Sequence, residues 1–445
     1  MFEAMNMDGI LGQRKNALYR LLRQRMDGIS CGITSFCTAN DLVIEAILED
    51  ALEAGSDILI EATANQVNQF GGYTGMLPED FRDYVYSIAE RTGFPKERLI
   101  LGGDHLGPLV WASRPEAEAM ELAKELVSSY VLAGYKKIHL DTSMRLGDDP
   151  LDAPLTDETI AQRGAQLYLA CEQAFQKLKT ADPESEHPLF IIGSEVPVPG
   201  GIQEPEESVS VTKPEAAGAT LATYKRVFEE HGLLDAFDYI IGIVVQPGVE
   251  FGDADIYHYD RDKAHELCEY MKQWPELVME GHSTDYQSAH HLRQMVEDGI
   301  AILKVGPALT FALRKGLFAL SFMEKELVSP EKRSCFIELL DRVMVEAPDN
   351  WKKHYHGTAE EIGLKRKYSF SDRCRYYLTH EEVQQTIRKL FNNFDGVDIP
   401  LGMIQQYMPD QYLKVRDNQL RPTAKNLVKD MVATLVSDYT FAVRP

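Results

Sequence analysis

The chain has 445 residues, with 69 acidic against 46 basic side chains and a net charge of −23. So acidic a surface is not built for nucleic acid or an anionic membrane, although a local basic pocket can still take a small anion. Hydrophobic residues make up 44 % of the chain, enough for a sizeable core in one large domain with an appendage, or in two domains.

The six cysteines (Cys31, Cys37, Cys171, Cys268, Cys335 and Cys374) are scattered and form no C-x-x-C pair. That argues against a zinc ribbon or a dithiol redox motif and fits free thiols in a reducing compartment. The start of the sequence carries Glu3, Asp8, Arg14 and Lys15, without the apolar stretch of a signal peptide. No window approaches the roughly 18 uncharged apolar residues of a membrane span. The expectation is a cytoplasmic protein.

In chain order, β-rich runs stand at 29–37, 57–62, 99–103, 137–141, 189–195, 239–246, 277–281 and 301–305. Amphipathic stretches lie between them at 41–54, 78–91, 115–133, 157–179, 213–231, 261–273 and 286–298. Strands alternating with helices make βα units around a parallel sheet. Eight such units over roughly 300 residues predict an α/β protein of the (β/α)8, or TIM-barrel, class. A doubly wound open sheet is the alternative. The pattern changes after about 327, where Trp351, Tyr355, Tyr368, Tyr376 and Tyr377 interleave with Lys352, Lys353, His354, Arg373 and Arg375, a segment read as a cap packed on the barrel, with direct substrate contact as the alternative. The expected organisation is an N-terminal helical extension over 1–27, a barrel over 28–327 and a mostly helical C-terminal cap over 328–445.

Every strand run ends on polar residues: Thr34-Ser35, Glu61, Asp104-His105, His139 and Asp141, Glu195, Gln246, Glu280 and His282, and Lys304. Eight such endings in register predict one polar mouth at the carboxyl face, where barrel enzymes carry their sites. His105, Glu195 and His282 come from the third, fifth and seventh units. Two imidazoles and a carboxylate are a common ligand set for catalytic zinc, with manganese or cobalt as the next choices. Asp104 then sits beside the metal as a proton shuttle, and Glu195 counts as a catalytic carboxylate as well as a ligand. Glu61, Asp141 and Asp285 can orient metal-bound imidazoles. A metal that polarises a carbonyl, beside a carboxylate that moves a hydroxyl proton, describes aldol or retro-aldol chemistry. The groups expected to meet substrate are Glu61, Asn65, Gln69, Asp141, Ser194, Gln246, Ser283, Asp285, Lys304 and Gly306. The amide-rich loop at 65–73 either touches substrate or forms a hydrogen-bonded turn. Lys304 either helps the glycine-containing loops bind an anion or pairs with an acid. The absence of G-x-x-x-x-G-K-[ST] and G-x-G-x-x-G argues against a nucleotide cofactor.

Several long motifs resemble the GatZ/KbaZ family, the larger subunit associated with class II tagatose-bisphosphate aldolases. They are Ile60-Glu61-Ala62-Thr63 with the loop Asn65-Gln66-Val67-Asn68-Gln69-Phe70-Gly71-Gly72-Tyr73, Gly102-Gly103-Asp104-His105-Leu106-Gly107-Pro108, and Gly193-Ser194-Glu195-Val196-Pro197-Val198-Pro199-Gly200-Gly201. With them go Val245-Gln246-Pro247-Gly248-Val249-Glu250-Phe251, His282-Ser283-Thr284-Asp285-Tyr286-Gln287, Leu303-Lys304-Val305-Gly306-Pro307-Ala308 and Gly396-Val397-Asp398-Ile399-Pro400-Leu401-Gly402-Met403. The resemblance runs from about Gly28 onward. It implies a barrel related to class II aldolases, which place an aspartate directly before a zinc-binding histidine, as Asp104-His105 does. Glu195 stands where those aldolases have histidine. The resemblance further implies one of two roles. One is 4-epimerisation of ketohexoses or their 6-phosphates of the fructose and tagatose type. The other is service as an accessory partner to a separate catalytic subunit of a class II D-tagatose-1,6-bisphosphate aldolase. An assembly of several copies of the chain is left open.

Overall fold

The computed structural model describes residues 16–196 and 209–445. Eight parallel strands close into a barrel: β1 (Ile33–Cys37), β2 (Ile58–Thr63), β3 (Leu99–Leu106), β4 (Lys137–Leu140), β5 (Leu189–Ile192), β6 (Ile240–Val245), β9 (Val278–Gly281) and β10 (Ile300–Val305). Their order around the barrel is β1-β10-β9-β6-β5-β4-β3-β2. Closure excludes the open sheet. The remaining pair, β7 (Glu250–Phe251) and β8 (Ile256–Tyr257), forms a small antiparallel hairpin after β6 that periodicity does not announce.

Because side chains alternate along a strand, every second residue points into the lumen, and the interior is layered. The lowest layer is apolar: Ile33, Leu59, Ile100, Leu189, Ile241, Val278 and Ile302 share one cluster with Leu18, Tyr19, Leu21 and Leu22. Those last four belong to the helix Ala17–Met26, whose apolar face stoppers the amino end of the barrel. Its N-cap is Asn16, whose side chain accepts from the Leu18 amide. Each such leucine contributes about 1.5–3 kcal/mol when fully buried. Two residues further along the strands the layer becomes charged, with Glu61, Lys137, Glu280 and Lys304 all buried. Gly102 is what makes room for this layer. A Cβ there would come within 2.3 Å of Glu61 Oε1. Gly102→Ala is therefore expected to cost about 1–3 kcal/mol by overpacking, read as a lower urea midpoint; an unchanged midpoint would show that Glu61 can move aside.

After the helix Pro307–Leu327 the chain does two things. A run of helices and turns crosses the carboxyl end, where Tyr286 Oη donates to Phe370 O at 2.6 Å. Asp372 accepts there from Thr310 Oγ1 and Arg314 Nε, both at 2.7 Å. The helix Ala424–Val443 then returns to the barrel wall and packs against the helices Asp41–Ala54, Ala289–Glu297 and Pro307–Leu327. No described helix is long and apolar enough to cross a membrane.

Candidate active site at the carboxyl end of the barrel

The site begins with an irregularity in β3. Gly103 pairs with Ile138 and Leu106 with Leu140, so β3 holds one residue more than its neighbour over this stretch. His105 takes up the difference at φ 48°, a conformation few side chains adopt. In a regular strand Asp104 and His105 would face opposite sides. The bulge turns both toward the same cleft. A second strained stretch follows β9, where Ser283 has φ 53° and Tyr286 φ 63°. Such outliers collect where a site over-determines the backbone.

A web of charge joins the layers. Lys137 Nζ donates to Glu61 Oε1 at 2.8 Å and pairs in charge with Glu280 Oε2, 2.7 Å away, linking β2 and β9 across the lumen. Lys304 Nζ donates to Glu61 Oε2 at 2.7 Å and pairs in charge with Asp104 Oδ1, 2.5 Å away. Ser35 Oγ also donates to Glu61, and Cys37 Sγ lies 3.4 Å from Asp104 Oδ2. Above this layer, His282 Nε2 is 2.9 Å from Glu280 Oε1, His139 Nδ1 is 3.1 Å from Asp104 Oδ1, and His105 Nδ1 donates to Asp141 Oδ2 at 2.7 Å.

Protonation follows from this wiring. Burial opposes the charge on Asp104, yet His105, Lys304 and His139 hold its carboxyl well below the usual carboxylate range. Burial likewise opposes the charge on Glu280, and Lys137, Lys304 and His282 keep it ionised. Lys304 loses solvation too, but the acids around it hold its ammonium well above the ordinary value. The imidazoles diverge: burial, with Lys304 and His105 nearby, pushes His282 down to about 3. His105 is raised against its burial by Asp104 and Asp141. His282 is therefore neutral, with a lone pair to offer, and His105 is held by its Nδ1 hydrogen bond to Asp141.

This set fits a divalent cation. Four buried carboxyl groups (Glu61, Asp104, Asp141, Glu280) face two buried ammonium groups (Lys137, Lys304), which leaves negative charge to be balanced. Asp104, His139, Glu280 and His282 each offer a ligand atom, all within 4.8 Å of one another. His139 Nε2 is buried with no partner. The rings of His105, His139 and His282 form a triangle, with centroids 5.1, 4.8 and 5.1 Å apart. Imidazoles backed by carboxylates, as His105 is by Asp141 and His282 by Glu280, are the usual way proteins orient metal-binding histidines.

A family model for the D-tagatose-1,6-bisphosphate aldolase subunit GatZ/KbaZ-like proteins matches residues 18–444. The chain belongs to the GatZ/KbaZ-like family. It is 48 % identical over 426 residues to the D-tagatose-1,6-bisphosphate aldolase subunit GatZ of Salmonella agona (strain SL483), covering 96 % of this chain and 99 % of that one. The protein of the same name from Salmonella newport (strain SL254) is 47 % identical over 425 residues, with the same coverage. Among solved structures, one described as a probable tagatose 6 phosphate kinase from Sinorhizobium meliloti 1021 aligns with a TM-score of 0.84 at 44 % identity. That alignment covers 92 % of this chain and all of that one.

The structure brings together Glu61, Asp104, His105, Asp141, His282 and Lys304, and it places Asn65, Ser283, Asp285 and Gly306 on the wall of the same cleft, whose volume is about 340 Å³. Glu195 lies apart. β5 ends at Ile192, Glu195 is exposed, and its carboxylate accepts from Thr212 Oγ1 at 2.6 Å. In this GatZ/KbaZ-like chain His139, one turn of the pleat above Lys137, stands with the other imidazoles instead. His139→Ala is expected to strip the metal and Glu195→Gln to leave it, as measured by metal content after dialysis; the reverse pattern would return the ligand role to Glu195. Gln246 and Gln69 are absorbed structurally: Gln246 Oε1 accepts from the amides of Gly248 and Val249, and Gln69 Nε2 donates to Leu122 O. Ser194 Oγ is buried without a partner. The motif positions 197–201 and the acidic stretch that follows to 208 lie outside the described residues, as do 1–15. Asp285 Oδ1 accepts from the amides of Gly306 and Ala308, and burial pushes its carboxyl up to about 6 against those donors. The sequence pattern placed His139 and Glu280 at the polar mouth without a ligand role and gave Lys137 none, although Lys137 and His139 stand two residues apart on β4, and Glu280 and His282 two apart at the end of β9, and so face the same lumen. Arg375 and Tyr376, read mainly as part of a cap with substrate contact as the alternative, are brought to the cleft by the C-terminal segment.

Proposed function

We propose that the protein interconverts ketohexoses or their 6-phosphates at C4 by retro-aldol cleavage and re-addition. One observation carries this reading: the ionised Asp104, the carboxylate-backed imidazoles of His105 and His282, and His139 all converge at the floor of one cleft. C4 of a 2-ketose is not adjacent to the carbonyl, so enolisation alone cannot invert it. Breaking C3–C4 can. The electron pair of that bond moves toward the C2 carbonyl as O4 loses its proton, leaving a three-carbon enediolate and an aldehyde. The aldehyde turns to present its other face, C3–C4 re-forms, and O4 takes a proton back. A divalent metal, held by His105, His139 and His282 with Glu280 or Asp104 close by, would supply the Lewis acidity that polarises the C2 carbonyl. Asp104, held ionised, accepts the O4 proton. Asp104 holds that proton only until C3–C4 re-forms and returns it to O4, while Lys304, an ammonium throughout, offsets the charge of Asp104. His105, held by Asp141, keeps its orientation throughout.

The full-length protein, loaded with zinc, manganese or cobalt, is mixed with fructose 6-phosphate, tagatose 6-phosphate and the free ketoses, and the products are separated by chromatography. Appearance of the C4 epimer is the expected result. No interconversion with any metal would end this reading. The names of the Salmonella relatives favour a second one, a subunit that supports a separate class II aldolase. Co-purification with such an aldolase, and a rise in its activity, would support that role; two chains that do not associate would count against it.

A further inference from the structure

Two permanent cations line the cleft, and the charge web uses only one of them. Lys304 is matched by Glu61 and Asp104. Arg375, in the short turn Arg373–Tyr377, lines the same cleft and has only neutral hydrogen-bond partners among the described residues. Its guanidinium donates to the carbonyl of Ser371, to that of Asp372 at 3.1 Å and to Tyr376 Oη at 2.9 Å. It also lies 4.4 Å from the Tyr376 ring centroid. The carboxylate of Asp372 is already taken by Arg314 and Thr310. A half-buried guanidinium fixed in one pose, with no carboxylate hydrogen-bonded to it among the described residues, is preorganised for a planar or tetrahedral anion.

The customary anion cradle of a barrel is closed here. The amides that head the helix Pro307–Leu327 would face a phosphate after the last strand, but Asp285 already fills them. A phosphate could take that place only by displacing a carboxylate.

We propose that Arg375 anchors the phosphate group of a phosphorylated ketohexose, so that the C-terminal segment, and not the loops after β9 and β10, selects the phosphorylated sugar over the free one. This rests on the epimerase reading. It also meets a need of that chemistry, since the aldehyde released by C3–C4 cleavage carries C6. Held by its phosphate, that fragment can turn about C4–C5 without leaving the cleft.

The test is calorimetric titration of the full-length, metal-loaded protein with fructose 6-phosphate, fructose and inorganic phosphate. Fructose 6-phosphate is expected to bind at least about 10-fold more tightly than fructose, in competition with inorganic phosphate. Arg375→Gln is expected to lose about 10- to 100-fold of that affinity, with metal content and melting temperature held as controls. Should Arg375→Gln fail to fold, Arg375→Lys decides, since it keeps the charge and loses the fork; about a 10-fold loss is expected. Equal binding of fructose and fructose 6-phosphate would overturn the proposal, as would a folded variant with wild-type affinity for phosphate. Binding is read without turnover. A protein that holds fructose 6-phosphate through Arg375 yet forms no epimer refutes the epimerase reading alone. One that epimerises fructose and ignores phosphate refutes this proposal alone.

Discussion

Asp104→Asn is expected to cut turnover in the ketose assay by about 10²–10⁴-fold, the usual worth of a general base, while the metal stays bound. Asparagine keeps the shape of the side chain, and its one oxygen can still face Lys304, so the three imidazoles around it need not move. What disappears is the capacity to take a proton from O4. His105→Ala should differ in kind, because it removes a ring of the triangle and leaves Asp141 without its partner, so metal and turnover should both be lost. Metal analysis beside the assay separates the two outcomes. Equal metal loss in both variants would place Asp104 among the ligands and leave the proton to another group.

The second large effect is on stability. Glu61 is fully buried and bridges Lys137 and Lys304. Glu61→Gln preserves the volume but leaves each ammonium with one acid instead of two, Glu280 for Lys137 and Asp104 for Lys304. Removing one partner of a buried ionic set typically costs about 3–5 kcal/mol. A urea titration should show that loss. Replacing Glu61 and Lys137 together by methionine should recover much of it, since the desolvation cost then goes with the charges. A change below about 1 kcal/mol for Glu61→Gln would mean that water or a neighbouring acid supplies the missing charge.

The barrel was legible because each strand is a short apolar run and each helix an amphipathic stretch, and both periodicities are local. The helix at 41–54 matches Asp41–Ala54. The polar mouth was legible for the same reason. Two things were not. The bulge at His105 depends on a positive φ that no residue type there announces, although Gly102 and Gly103 hint that the strand is unusual. Without the bulge, the pair reads as lying beyond the strand, whereas β3 runs on to Leu106. The choice between Glu195 and His139 depended on how far β5 extends. It ends at Ile192, three residues short of Glu195, while His139 lies within β4 and must point inward two residues after Lys137. Arg375 was legible only as one basic residue of an aromatic-rich segment, since nothing local ties a turn in the C-terminal region to a strand end on β3.

The helix Ala424–Val443 has a consequence for how the protein is made. Tyr439 Oη donates to Thr284 O at 2.8 Å, across 155 positions of sequence, and the amide of Gly32 donates to Val443 O. Thr284 lies between Ser283 and Asp285, in the loop that carries His282 toward the cleft. During synthesis the eight strands emerge long before this prop does. Contacts so distant in sequence form late. The barrel can therefore close around its charged interior while the β9 loop still waits for its support, so a nascent chain would be folded before it is competent.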